Sequence, residues 1–252
     1  MIEVEGLVKT YGLNPVLRGI NLSIPAGQAV TLVGPNGAGK TTMMRIVATL
    51  LAPSSGHVSI GGWPLPRHAQ RVRPHIGLVS HQSLLYGDLT AAENLSFFGQ
   101  LYGLPRNGPE IQQALRRVGL AARARDPVRT FSRGMIQRLT IARATLHHPE
   151  VLLLDEPYTG LDQDASAILD DLLQEERSTG RTILMITHNL LRGMAMADRI
   201  IILNQGNIQE DLATADLEPA AFMATYAEAT RRHNNKRRRR REKAHDHSNN
   251  DG

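Results

Sequence analysis

Cysteine is absent from all 252 residues. That excludes disulfides, zinc–thiolate sites, iron–sulfur clusters and cysteine nucleophiles, and it fits a reducing compartment. Long apolar runs are absent too. The longest, Ala220 to Ala224, has five residues, against about 20 for a membrane-spanning helix. The N-terminal MIEVEGLVKTYG has no basic start leading into an apolar stretch, so no signal peptide is read. The expectation is a soluble chain that stays where it is made. Lysine is scarce as well. Residues 1–230 use arginine eighteen times and lysine only twice, at Lys9 and Lys40.

What is present is ordinary globular material, 41% hydrophobic and 21% charged. The length allows one or two domains at about 150 residues each and a sizeable core. The net charge of +5 is not spread evenly. Residues 231–252 hold nine basic and three acidic groups, which leaves 20 basic and 21 acidic groups in the rest. This tail, RRHNNKRRRRREKAHDHSNNDG, is a like-charge block without an apolar face and reads as disordered. Its basic run suits anionic lipid, or less readily nucleic acid, and the plainer alternative is a solvated tail without a specific partner. Its histidines, His233, His245 and His247, are a weak metal signal.

The first 30 residues alternate loosely and read as short strands broken at Gly6, Gly12, Gly19 and Gly27. AVTLVG, from Ala29 to Gly34, is a buried strand that runs into a glycine-rich loop, and Thr41 to Leu51 has a helical pattern. Pro53 to Gly62 reads as turn, strand, turn, and Gly77 to Ser80 as a short strand. Residues from about 83 to 145 are mostly helical. Val151 to Asp155 and Thr182 to Thr187 read as buried strands, and Ala165 to Ser178 as an amphipathic helix. Arg199 to Leu203, then NQGN, then Ile208 reads as a strand pair with a tight turn. Strands alternating with helices indicate a largely parallel α/β sheet, with a β-rich part before it and a helical insertion within it. The expected organisation is a domain over 1–230, its helical part at about 83–145, and the tail over 231–252.

Gly34, Pro35, Asn36, Gly37, Ala38, Gly39, Lys40 and Thr41 satisfy G-x-x-x-x-G-K-[ST], followed by Thr42. The motif follows a buried strand and opens a helix, where its mechanism requires it. Backbone N–H groups curl around phosphate oxygens, and the helix N-terminus adds favourable charge. Lys40 reaches the β- and γ-phosphates, and the Thr41 hydroxyl ligates Mg²⁺. A compact ammonium enters such a loop where a planar guanidinium does not fit. In VLLLDEP, four apolar residues carry Asp155 to the end of a central strand, in position for the Mg²⁺ shell. Glu156 follows, placed to orient or deprotonate an attacking water.

The remaining motifs resemble the ATP-binding subunits of ABC transporters, in that family's order and over nearly all of residues 1–210. Tyr11 resembles the aromatic residue that stacks on adenine. Gln82, in SHQS, resembles the Q-loop glutamine that touches Mg²⁺ and water and senses the membrane partner. Phe131-Ser132-Arg133-Gly134-Met135, followed by Ile136-Gln137-Arg138-Leu139, resembles the LSGGQ signature and its extension. Gly160-Leu161-Asp162 resembles the D-loop, and Thr187-His188 the switch histidine. The signature departs from the family at Arg133, where glycine is usual, and at Met135, where glutamine is usual. Ser132 and Gly134 are kept, as contacts to the γ-phosphate of an opposite subunit. An arginine at a helix start opposes the helix dipole and becomes reasonable beside a triphosphate.

The resemblance implies a P-loop NTPase of ABC-ATPase type: a mixed central sheet, an antiparallel β subdomain and an inserted helical subdomain. It implies ATP hydrolysis with Mg²⁺, catalytic roles for Glu156, His188, Gln82 and Lys40, and metal contacts from Thr41, Gln82 and Asp155. Two chains would sandwich two ATP molecules in a head-to-tail dimer, most simply a homodimer. Separate integral membrane subunits would form the pathway, with Gln82 to Gly103 as a docking surface or, alternatively, as subdomain core. The protein would then lie in the cytoplasm, peripheral on the inner face of the plasma membrane. The stretch from Val79 to Leu104 is similar both to haem-exporter ATPases of cytochrome c maturation and to general exporters. A soluble ABC-type ATPase acting on nucleic acid or ribosomes is the alternative. The absence of a coiled-coil insertion, zinc cysteines and a tandem second ATPase domain argues against it. A non-hydrolysing regulatory module fits poorly with Lys40 and Glu156 both in place.

Overall fold

The computed structural model describes residues 1–106 and 108–231. The tail expected from residue 231 therefore lies outside the described residues, apart from Arg231. A four-stranded antiparallel sheet opens the chain, built from β1 (Ile2–Tyr11), β2 (Asn14–Ile24), β4 (Ser55–Ile60) and β5 (Trp63–Leu65) in the order β2-β1-β4-β5. The expected short strands are in fact one long hairpin. The glycines that suggested breaks lie within or beside it, and the register shifts at bulges such as the one between Val4 and Leu7 while pairing continues.

The second sheet has six strands. These are β3 (Ala29–Val33), β6 (Ile76–Val79), β7 (Val151–Asp155), β8 (Thr182–Ile186), β9 (Arg199–Asn204) and β10 (Asn207–Ala213), in the order β10-β9-β3-β8-β7-β6. All neighbours are parallel except the β9–β10 hairpin. Strands β3, β7 and β8 are buried at every position, as continuous apolar runs covered on both faces should be.

The helices are α1 (Lys40–Val47), α2 (Ala69–Val72), α3 (Ala91–Leu101), α4 (Pro109–Arg117), α5 (Arg133–Thr145), α6 (Gln163–Ser178), α7 (Leu190–Ala195) and α8 (Pro219–Arg231). Helix α1 stops short of the expected Leu51, because Thr49 takes a left-handed conformation at φ 62°. The helical insertion contains α3, α4 and α5, and residues 83–90 ahead of it are not helical. Thr90 and Glu93 form a reciprocal capping box that fixes the start of α3. Helix α4 is tied to α6 by the buried Glu176, which pairs at 2.6 Å with Arg117 and at 2.6 Å with Arg181. Helix α8 covers one face of the large sheet at β9 and β3: Phe222 is fully buried beside Val33, Ile200 and Ile202. The Asn204 side chain donates to the carbonyls of Ala229 and Thr230.

His147, just past α5, stacks flat on Tyr102 at 3.7 Å and faces the Ile76 carbonyl from Nε2 at 3.1 Å. A carbonyl only accepts, so Nε2 carries the hydrogen. Burial, and then the nearby charges of His148, Arg143 and Arg181, push its pKa down to about 4, against the opposing Ile76 bond. The folded value lies below the unfolded 6.5, so this contribution is complete above pH 6.5 and is lost as pH falls toward 4. Unfolding free energies from urea titrations at about pH 7 and about pH 4.5 should differ by roughly 2 kcal/mol more in the wild type than in His147→Phe, which keeps the stack without the titration. Equal pH dependence in the two proteins would refute this account.

Candidate functional site

The cleft at the carboxyl ends of β3 and β7 is built on the loop between β3 and α1. It is lined by Val16, Asn36 to Thr42, Asp155, Glu156 and Ile186 and encloses about 370 Å³. Gly34 lies against β9, where a Cβ would collide with the Leu203 carbonyl oxygen. No other residue type allows that approach, and the Gly206 N–H holds the same loop through Ala38 O at 2.9 Å. The start of α1 has no side-chain cap. Its first amides therefore stay available to an anion, and the helix dipole favours one there.

Lys40 lies across the loop and donates from Nζ to Gly34 O at 2.7 Å and to Pro35 O at 3.1 Å. Burial lowers its pKa, while the Glu156 and Asp155 carboxylates hold it up. Asp155 is buried at the end of β7. Burial raises its pKa and Glu156 adds to the rise. The Thr41 hydroxyl, Lys40 and His81 favour its charged form. The Thr41 hydroxyl and the Asp155 carboxylate thus offer adjacent hard oxygen donors. Magnesium commonly takes one or two such groups and fills its remaining positions with phosphate and water, so the residues present fit that ion. Among the described residues no cluster of three or more His, Cys, Asp or Glu side chains is placed to hold a metal by itself.

Glu156 has a left-handed backbone at φ 53°, uncommon for a residue with a side chain. Its N–H bonds Ile186 O at 2.9 Å, which ties it to β8. Its Oε2 accepts from the His188 backbone N–H at 3.2 Å and from His188 Nδ1 at 2.7 Å. The carboxylate only accepts, so Nδ1 carries the hydrogen and Nε2 points elsewhere. Sequence reasoning named both residues but had no signal for this pair.

The other expected site residues stand apart from the cleft lining. Tyr11 ends β1, is 48% exposed and lies under the Lys9 ammonium at 5.3 Å. Gln82 is exposed, and its carbonyl accepts from the Ser80 hydroxyl. Ser132 is the N-cap of α5, with Oγ accepting from Met135 N at 3.3 Å. Its hydroxyl hydrogen remains free for an acceptor. Arg133 is exposed and Gly134 half-buried on the same first turn. The structure thus assembles the phosphate loop, Asp155, Glu156 and His188 in one place. It leaves Tyr11, Gln82 and the start of α5 on outward surfaces.

The family model described as ABC transporter matches residues 17–159. The chain is 35% identical over 210 residues to the linearmycin resistance ATP-binding protein LnrL of Bacillus subtilis (strain 168), covering 82% of this chain and 68% of that protein. It is 38% identical over 217 residues to the daunorubicin resistance ATP-binding protein DrrA3 of Streptomyces coeruleorubidus, covering 85% and 68%. It thus spans about two thirds of the length of these relatives. The fold superposes with a TM-score of 0.80 on the dimeric post-hydrolysis state of the ATP-binding cassette MJ0796 bound to ADP and Pi, at 27% identity, covering 86% of this chain and all of that one. The matched region holds the strands and loops that build the cleft, and the chain belongs to the ABC transporter family as one of its ATP-binding, ATP-hydrolysing subunits.

Proposed function

We propose that this chain is the motor of an exporter, hydrolysing ATP in the Lys40–Asp155–Glu156 cleft to drive transport through separate membrane subunits. The observation that carries this reading is the convergence of an uncapped helix start, a half-buried ammonium and two carboxylates of unequal burial on one open cleft. The loop amides and Lys40 bind the β- and γ-phosphates. Thr41 and Asp155, together with Gln82, would hold Mg²⁺, which when bound would neutralise phosphate charge. Glu156 orients the attacking water and takes its proton. His188 steadies the Glu156 carboxylate through Nδ1, and donation from Nε2 to phosphate requires the doubly protonated ring. Tyr11 stacks on adenine.

Among the described residues no helix is long and apolar enough to cross a membrane. The groove between α3 and the core is the proposed dock for the membrane subunits. It is lined by Leu84, Phe98, Tyr102, Arg143 and His147, and beside it Tyr86, Phe97 and Phe98 form a half-exposed aromatic cluster with centroids 5.1 to 6.2 Å apart. The relatives named for linearmycin and daunorubicin resistance support small-molecule export. Nothing among them supports haem export for cytochrome c maturation, and nothing favours the soluble nucleic-acid alternative. The basic tail is proposed to meet anionic lipid at the inner membrane face.

Ser132 and Gly134, set outside the cleft of their own chain, are proposed to complete the partner's site in a head-to-tail dimer. Mixing Ser132→Arg chains with Lys40→Ala chains tests this. One composite site then carries both defects and the other none, so the mixture should recover ATPase activity that neither parent has. Confirmed heterodimers without recovery would overturn the arrangement, provided one intact site turns over alone.

A further inference from the structure

Helix α5 turns one face toward the segment that joins β7 to α6. Arg133 and Gln137 are four residues apart and so share that face. Gln137 Nε2 donates to the Pro157 carbonyl at 2.9 Å, at the residue next to Glu156. Three residues further on, the Arg133 stem lies over Gly160. A Cβ at Gly160 would be 2.7 Å from Arg133 Cδ, 2.7 Å from Nε and 3.0 Å from Cγ. Gly160 is left-handed at φ 80°, so both its conformation and the stem above it select glycine. A Cβ placed on Gly134 would lie 3.5 Å from the Gly160 carbonyl oxygen, in ordinary van der Waals contact, so the first turn of α5 runs alongside the same segment. These contacts bracket residues 157–160.

The far side of Glu156 is fixed independently, through Ile186 O and through His188. The segment is therefore held between β8 and α5, and Glu156 sits at the junction. Among the described residues the Arg133 guanidinium enters no hydrogen bond or ion pair, so its contribution within the chain comes from the stem. A glycine at 133, as in the motif this segment resembles, would leave Gly160 uncovered.

We infer that Arg133 and Gln137 form a clasp that positions Glu156 through residues 157–160. Both are positioning residues, and the inference rests on the proposed action of Glu156 on water. A movement of α5 relative to the sheet is then conveyed to Glu156 within the same chain, through a rigid segment of four residues. The arginine at 133 acts in this as an aliphatic cover more than as a charge.

Steady-state ATPase measurements on the full chain test the clasp, with Arg133→Gly, Arg133→Met, Gln137→Met and Glu156→Gln compared by kcat, KM and melting temperature. Arg133→Gly and Gln137→Met should each lower kcat by about three- to tenfold, the scale of one lost contact. Their KM for ATP should stay within about twofold, because the loop amides and Lys40 are untouched. Arg133→Met keeps the stem without the charge and should restore most of what Arg133→Gly loses. Melting temperatures within about 2 °C of wild type would show that folding is not the cause. If Arg133→Met falls as far as Arg133→Gly, the charge matters and the clasp is wrong. If Arg133→Gly and Gln137→Met both turn over normally while Glu156→Gln does not, the clasp fails and the role of Glu156 stands. Normal turnover in Glu156→Gln removes that role itself, and the clasp with it.

Discussion

Lys40→Ala should abolish ATP binding without unfolding the protein. The ammonium lies across the phosphate loop, bonded to Gly34 O and Pro35 O, where it would meet the β- and γ-phosphates of a bound nucleotide. A charge-assisted contact of this kind is worth about 1.5–3 kcal/mol each, and Lys40 makes more than one, so affinity should fall by about 100-fold or more. The nucleotide-free protein should be little affected. Burial already disfavours the charge, as the lowered pKa of Lys40 records, so its removal relieves a desolvation cost. The measurement is a melting curve with and without nucleotide. Wild type in excess ATP gains about 2.7 kcal/mol at 100 times Kd, and Lys40→Ala should gain almost nothing. Lys40→Arg should do no better, because a planar fork does not enter a loop shaped for a point charge. Near-wild-type hydrolysis in Lys40→Ala would end the assignment of this cleft.

Glu156→Gln should separate binding from turnover. The amide keeps the size of the carboxylate and still accepts from His188 Nδ1, so the left-handed backbone and its tie to Ile186 are retained. What is lost is the capacity to take a proton, which contributes about 10²–10⁴-fold to a general-base step. Loss of that charge also removes a repulsion felt by Asp155 and by an incoming phosphate alike, which favours binding. ATP should bind at least as well as to wild type while kcat falls by about 100-fold or more. The ATP-bound dimer should therefore accumulate on a sizing column. Turnover within about twofold of wild type, or a variant that stays monomeric where wild type dimerises, would count against the role of Glu156.

The phosphate loop and the VLLLDEP strand were legible because their chemistry is local: a few consecutive residues carry both the conformation and the ligand groups. The sheet order was legible as a class, since β3, β7 and β8 are uninterrupted apolar runs. The first hairpin was misread because Gly6 and Gly19 look like strand breaks in a one-dimensional pattern, whereas bulges let the strands continue past them. Helix α8 gave little signal. Phe222 and Ala229 are its only buried residues, too few for a periodic stripe. Contacts across long separations were invisible from sequence. Leu203 against Gly34, His147 on Tyr102 and Gln137 on Pro157 each join residues that only the folded chain brings together. The outward placement of Tyr11, Gln82 and Ser132 follows from the same limit, because motif order does not say which surface a motif faces.

The strand that carries the phosphate loop is flanked by β8 and β9, both of which lie some 150 residues or more further along the chain. Ribosomes add about 5–20 residues per second, so β3 emerges roughly 8–30 s before either neighbour exists. Through that interval its buried positions have no ladder on either side, and Gly34 has no Leu203 carbonyl to rest against. The cleft is thus completed only after β8 and β9 are made, long after its phosphate loop has been translated. A nascent chain that exposes GPNGAGKTT cannot yet close on nucleotide.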